Sequence, residues 1–442
     1  RGIGLGSGPP RTLWSCAVLL GRMSWRHVLT AAVLVSALGY FVDVYDLLLF
    51  SIVRVPSLTG LGLSGAALLD RGVLLLNVQM AGLLVGGVLW GILGDKRGRR
   101  SVLFGSIALY SVANLLNAFV TNVDQYAALR FVAGVGLAGE LGAAVTLVSE
   151  MLPKESRGYG TAIVAGVGIL GAVFAALVGR WLSWRIAFAL GGVLGLLLLV
   201  MRVRLAESGL FAALPAHVPK GRLRTLLADR KAALRWLCLV LVGVPVWYGV
   251  GILVTFSPEL SVPLKIGGVV NAGLAILWCY VGIAVGGFAL GALSQRVGNR
   301  RLFLALGIAG VLVASLVFLE LRWLRLWAFY ALCACLGAAT GYWTVLMTSA
   351  AESFGTNVRA TVVTTVPNLI RGSVVPMTLV FTALRAPLGL VGSALALGVG
   401  VCALALVALA GVPETHGASL DFVQGDSTPP VEASADDQPM AG

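Results

Sequence analysis

Asp43 and Asp46 stand three residues apart inside an apolar run, Gly39-Tyr-Phe-Val-Asp-Val-Tyr-Asp-Leu-Leu-Leu-Phe50. Side chains three apart share one helical face, so both carboxyls point the same way as Gly39 and Phe50. Charge at membrane depth is costly and is kept where it has work to do. Two carboxyls this close resist joint ionisation, and a carboxyl that takes up and releases a proton near neutral pH is what proton coupling needs. Glu140, ten residues before the end of another apolar run, lies about 15 Å deep at 1.5 Å per residue and is the third candidate for a proton site. Its plainer reading is a hydrogen bond inside its own half of the chain.

Arg371 carries the complementary chemistry. It lies eleven residues into an apolar run, and Thr364, Asn368 and Arg371 recur at i, i+4 and i+7, making one polar face. Pro367 opens the helix beside that face and frees a carbonyl. A central guanidinium matches a carboxylate or phosphate in a two-point geometry; the alternative is permanent neutralisation by Glu140 or an aspartate. Tyr45, Asn77, Trp247, Tyr248 and Tyr342 are weaker candidates for shaping a substrate pocket, each equally readable as packing or as an interfacial anchor.

These residues need a frame to hold them. Reading for spans of about twenty apolar residues gives twelve, near 28–53, 72–93, 102–120, 125–149, 159–180, 184–202, 235–257, 271–293, 302–320, 325–350, 360–384 and 388–410. The chain also repeats itself. Gly91-Ile-Leu-Gly-Asp-Lys-Arg-Gly-Arg-Arg100 is echoed by Gly291-Ala-Leu-Ser-Gln-Arg-Val-Gly-Asn-Arg300, and Glu150 with Arg157 by Glu352 with Arg359, at offsets of 200 and 202. Paired halves are how many transporters build a central site that can face either side of a membrane. The layout expected is an extension at 1–22, non-native or disordered, with Met23 as the start; a six-helix lobe at 23–202; a cytoplasmic linker at 203–234; a second lobe at 235–412; and a disordered cytoplasmic tail at 413–442.

Composition excludes other classes. Of 442 residues 58% are hydrophobic and 12% charged, with a mean hydropathy of +0.95; so few charges cannot cover a soluble surface, and the lipid bilayer is the expected surrounding. The net charge of +13 is dispersed among the spans, so no nucleic-acid partner is expected. Alternate loops collect Lys96, Arg97, Arg99 and Arg100, then Lys154 and Arg157, then Arg222, Arg224, Arg230 and Lys231, then Arg296, Arg300 and Arg301. The positive-inside rule puts those loops and both termini in the cytoplasm. The six cysteines read as buried, inert thiols, and 27 arginines against 5 lysines, with no glycosylation sequon, lean towards a bacterial inner membrane. There is no Walker loop, no metal-ligand cluster and no nucleophile–base pair, so neither an enzyme nor a cofactor is expected, and a proton gradient is the energy source.

Residues 91–100 match the signature loop of the major facilitator superfamily at Gly91, Asp95, Lys96, Gly98, Arg99 and Arg100, and Arg130-Phe-Val-Ala-Gly-Val-Gly-Leu-Ala-Gly-Glu140 resembles its second hallmark. Ala206-Glu-Ser208 and Pro413-Glu-Thr-His-Gly417 resemble motifs of the sugar-porter-like and metabolite:H+ symporter branch. The resemblance covers residues 28–417. It implies an all-α membrane protein of twelve transmembrane helices in two pseudo-symmetric six-helix lobes. It also implies an inner ionic latch of Gly91, Asp95, Arg99, Arg100, Glu150 and Arg157, with Glu352 and Arg359 as the second lobe's partners.

The reading that follows is a monomeric secondary transporter working by alternating access, a proton-coupled symporter of a small organic anion or metabolite. Asp43, Asp46 and Glu140 would handle protons, and Arg371, Asn368 and Thr364 would hold substrate. A proton-coupled drug or metabolite exporter is the first alternative. A sugar:H+ symporter is weakened because Val244-Pro-Val-Trp-Tyr-Gly-Val-Gly251 lacks the sugar-porter pattern. A non-transporting sensor comes last.

Overall fold

The computed structural model describes residues 31–97, 99–140, 157–207, 226 and 228–416. The first lobe is built from α1 (Ala31–Gly60), α2 (Ala66–Arg97), α3 (Arg99–Asn117), α4 (Val123–Leu137), α5 (Arg157–Trp181) and α6 (Trp184–Glu207). The second begins with α7 (Arg230–Tyr248), a π-helical turn at Gly249–Val254 and α8 (Ser257–Ser261), which together form one span. It continues with α9 (Ala272–Val297), α10 (Arg300–Glu320), α11 (Leu326–Thr340), α12 (Trp343–Glu352), α13 (Thr356–Gly372) and α14 (Val374–Leu409). The described helices form the two-lobed, twelve-span all-α bundle that the internal repeat predicts. We call the end where α6 leaves the bundle and α7 enters it the linker end, and the other the far end.

Apolar side chains point outwards as well as inwards, among them Val85, Val88, Leu89, Val285 and Phe288, as they must where lipid replaces water. Trp181 and Trp327 on helix ends, and Phe119 and Trp323 in the adjoining turns, are all largely exposed at the far end, forming an aromatic belt at the level where headgroups begin. α1 and the α7 span lie deepest, with 78% and 89% of their central windows buried against 33–56% for the other long apolar helices described. They are therefore the elements placed to carry side chains to the centre.

Several helices extend past their apolar runs. α1 continues to Gly60, and within its extra turns Arg54 and Ser57 are wholly enclosed while Pro56, Thr59 and Gly60 are exposed; Arg54 is covered because it meets the second lobe. α6 continues to Glu207 and α7 begins at Arg230, so the ends of the 203–234 stretch are helical. The start of the tail also folds: the Glu414 carboxylate accepts from the backbone N–H groups of Arg300 and Arg301 at 3.1 and 3.0 Å. An anion at the first turn of α10 satisfies two of its unpaired donors and complements the helix dipole. At the same end Gly298 (φ 72) closes α9 in the left-handed region and Asn299 caps α10. That pair of caps gives the repeated loop its sharp reversal.

Three spans are broken along their length. α4 ends in a turn at Ala138–Gly139 just before Glu140. α11 and α12 part at Gly341, and α13 and α14 part at Ser373. Pro376 accounts for the last break, since its ring leaves no room for the Gly372 carbonyl one turn earlier. Gly389, at φ 69 and ψ −178, turns the chain from the eleventh span into the twelfth.

Candidate functional site

Six buried charges gather at mid-depth, five from the first lobe and one from the second. Asp43, Asp46, Arg130, Glu140, Arg202 and Arg371 are each at most 3% exposed. Three carboxylates against three guanidiniums leave no net charge, which is the arrangement hydrocarbon tolerates best.

The three pairs are not equivalent. Glu140 is gripped by Arg202 of α6: Nη1 donates to Oε2 at 3.0 Å and Nη2 donates to Oε1. Asp46 lies beside Arg130 and Asn114, yet neither of its oxygens has a hydrogen-bond partner. Arg130 instead donates to Asn114 Oδ1 and stacks 4.7 Å over the Phe188 ring. Asp43 faces Arg371 across the lobe boundary, with Nη2 3.6 Å from Oδ2. That distance is inside ion-pair range and too long for a hydrogen bond. Both oxygens of Asp43 and Nη1 of Arg371 lack hydrogen-bond partners.

The elements explain this placement. Asp43 and Asp46 leave the same face of α1, one turn apart, and reach different partners. Arg371 is carried to the boundary by α13, where Asn368, one turn earlier, donates Nδ2 to the Ala138 carbonyl of the first lobe at 3.1 Å. Tyr40, one turn before Asp43, and Tyr280 of α9 both lie within the field of Asp43 and Arg371, so each lobe brings one tyrosine to the neighbourhood of the loose pair. Thr364 is half-buried two turns below Arg371.

Other candidates fall elsewhere. Tyr45 donates to the Ala187 carbonyl at 2.8 Å inside the first lobe. Tyr248 and Tyr342 donate to the carbonyls of Ala394 and Val242, at 2.8 and 2.7 Å, inside the second. All three hydroxyls therefore tie helices of one lobe together. Trp247 is buried in the second lobe's core. Asn77 does reach the boundary, accepting from the Thr378 hydroxyl at 2.5 Å. Of the latch residues, Glu150 lies outside the described residues, as do the surroundings of Gly91 and the side chains of Asp95, Arg99, Arg100 and Arg157. Glu352 receives Arg300 at two points, 2.6 and 2.7 Å, and the Thr415 hydroxyl at 2.9 Å. Arg359 donates Nε to the carbonyls of Ala351 and Phe354.

Sequence reasoning missed Arg202 and the far-end ties. Arg54 of α1 grips Glu259 of α8 with bonds of 2.6 and 2.7 Å and lies 4.8 Å from the Phe256 ring. Arg385 of α14 meets Asp70 of α2 at 2.7 Å. Both bridges join the lobes at the far end.

Two lobes closed on each other at one end, over a charged crossing at mid-depth, define a secondary-transporter architecture. The family model of the Major Facilitator Superfamily matches residues 69–367, more than half of the chain, and the protein belongs to that superfamily. It is similar to the gentisate transporter of Corynebacterium glutamicum, 27% identical over 353 residues, 75% of this chain and 76% of that protein. It is similar to the 3-(3-hydroxy-phenyl)propionate transporter of Escherichia coli, 31% identical over 272 residues, 58% of this chain and 64% of that protein. The niacin transporter NiaP of Acinetobacter baylyi matches at 33% over 153 residues, about a third of each chain. Among solved structures, a D-xylose-proton symporter superposes with a TM-score of 0.65 at 19% identity, covering 88% of this chain and 99% of that one; at that identity the likeness concerns the fold.

Proposed function

We propose that the protein is a secondary active transporter that carries a small aromatic carboxylate together with protons by alternating access, with its linker end and both termini in the cytoplasm of a bacterial inner membrane. The observation that carries this reading is the Asp43–Arg371 pair. It crosses the lobe boundary, it is sealed, and it holds hydrogen-bonding capacity that nothing fills. A proton on Asp43 removes the charge that holds Arg371, and the guanidinium can then take a carboxylate at two points. Joint arrival of a proton and a monoanion leaves the buried charge unchanged, so the lobes can rock past the hydrocarbon without exposing an unbalanced ion. Asp46, one turn farther out on the same helix face and in the field of Asp43, would pass protons to Asp43 in this reading. Aromatic cargo is supported by Tyr40 and Tyr280 beside the pair, and by relatives whose named cargoes carry a carboxyl on or near a ring.

The test is proton flux in proteoliposomes with a pH-sensitive dye trapped inside. Benzoate, 4-hydroxybenzoate, gentisate and nicotinate would be added outside, beside xylose and a cationic drug. The reading expects acidification of the lumen on addition of an aryl carboxylate, absent in Asp43→Asn and Arg371→Ala. Alkalinisation of the lumen as a drug moves inwards would replace symport with the exporter reading.

A further inference from the structure

We propose that Arg202 is a positioning residue for the anion site: it occupies Glu140 so that Arg371 stays available to the cargo. The inference rests on the proposed function and adds a residue that touches neither proton nor substrate.

Three observations place Glu140 beside the anion site. Asn368 bonds the Ala138 carbonyl, which sets the turn of α13 that carries Arg371 against the turn of chain that carries Glu140. Asp43 lies in the field of both Arg371 and Glu140. Gly39, one helical turn before Asp43, packs directly on the Glu140–Arg202 pair: a Cβ there would overlap Arg202 Nη2 and Glu140 Oε1. The first lobe thus brings a second carboxylate to the edge of the anion site, and Arg371 still has an unpartnered nitrogen, Nη1, that could bind it.

Arg202 prevents that. It lies 1% exposed on α6 and meets both oxygens of Glu140, so the carboxylate is satisfied inside its own lobe and does not cross the boundary. Glu140 is then a fixed charge, and Asp43 is the exchanging one. Without Arg202, Glu140 would act as a tethered competitor for Arg371, present at a high effective concentration whatever the cargo concentration.

The experiment uses the full-length transporter in proteoliposomes and whichever of the four aryl carboxylates above gives the fastest wild-type uptake. Arg202→Gln should raise the KM for that anion about tenfold or more, the scale of one competing ion pair. Arg202→Lys, which keeps the charge, and Glu140→Gln/Arg202→Gln, which removes competitor and counter-ion together, should both return KM to within about threefold of wild type. Folded protein is quantified for each sample, because a purely structural role would lower the maximal rate per mole and leave KM unmoved. An unchanged KM in Arg202→Gln overturns the proposal. So does an equal rise in the double variant, which would mean that Arg202 or Glu140 binds cargo directly. If wild type takes up none of the four anions, the function proposed above falls and this inference falls with it. Wild-type uptake with an unchanged Arg202→Gln removes this inference alone.

Discussion

At the scale of single residues, the proposed exchange rests on the contrast between a loose ion pair, Asp43–Arg371, and a tight one, Glu140–Arg202. Arg371→Lys keeps a cation opposite Asp43 but loses the planar fork. KM for the aryl carboxylate should rise roughly tenfold, consistent with the loss of one charge-assisted hydrogen bond, about 1.5–3 kcal/mol; an unchanged KM would remove Arg371 from cargo binding. Tyr45→Phe and Tyr342→Phe should behave differently. Each removes a buried hydroxyl-to-carbonyl bond, worth about 0.5–1.5 kcal/mol, so thermal stability in detergent should fall while KM stays put. A KM shift in either would return that tyrosine to the substrate pocket. Asp43, Asp46 and Arg371 were legible because a charge inside an apolar run has few explanations. Arg202 was not, because it sits where the run ends and a basic residue there looks like a topology signal. The tyrosines stayed open between pocket and packing for another reason: the sequence gives their depth and not which neighbour their hydroxyls meet.

At the scale of elements, the breaks in α4 and α13 put non-ideal backbone beside the lobe boundary, while the break after α11 and the π-helical turn after α7 lie among helices of the second lobe; each is a weak point in a helix that must slide. Only some of this could be read in advance. Pro367 sits within a continuous α13, and the break comes at Ser373, where Pro376 excludes the carbonyl of Gly372. Gly389 turns the chain with a backbone conformation that only glycine adopts without strain. Gly389→Ala should destabilise the protein by about 1–3 kcal/mol, read as a lower melting temperature; nothing lies within 4 Å of the added Cβ, so any loss is backbone strain and an unchanged melting temperature would refute it. At the linker end, Glu414 is a pH-sensitive clip. Its partial burial favours the neutral acid, but four backbone N–H donors outweigh that and hold its carboxyl below the ordinary 4.5. A depressed folded value means the stabilisation is complete above 4.5 and is lost as pH falls through the folded value. Protease cleavage near residue 415 should therefore accelerate in acid, and Glu414→Gln should cleave quickly at neutral pH as well. Equal cleavage of both forms at neutral pH would remove the clip.

At the scale of the whole molecule, the far end is closed by two bridges between lobes, Arg54–Glu259 and Asp70–Arg385, and the first is the stronger. Arg54 is wholly buried, so Glu259→Gln leaves a guanidinium without its counter-ion. Removing one partner from a fully buried pair costs about 3–5 kcal/mol, and Glu259, being 18% exposed, lets water recover part of it. Even 1.4 kcal/mol shifts a two-state population tenfold. Spin labels at Arg71 and Thr382, both exposed at the far end, should therefore show a larger long-distance population in Glu259→Gln; an unchanged distribution would mean the bridge does not hold the closed form. The two-lobed bundle was legible from the repeat and from hydropathy. The bridges were not, because they join residues 205 and 315 positions apart that no local pattern connects.

Asp43 and Arg371 stand 328 positions apart in the chain, and that separation bears on assembly. A chain made from its N-terminus completes the first lobe well before α13 exists. Within that lobe Glu140 can find Arg202 and Asp46 can find Arg130, but Asp43 has no counter-charge of its own. An ionised aspartate at the centre of an inserting helix costs about 2.5–3.5 kcal/mol on the insertion scale. For that interval the available neutraliser is a proton, held by a half-made molecule until the second lobe arrives and displaces it. The exchange proposed for every transport cycle would then be carried out once beforehand, during biogenesis.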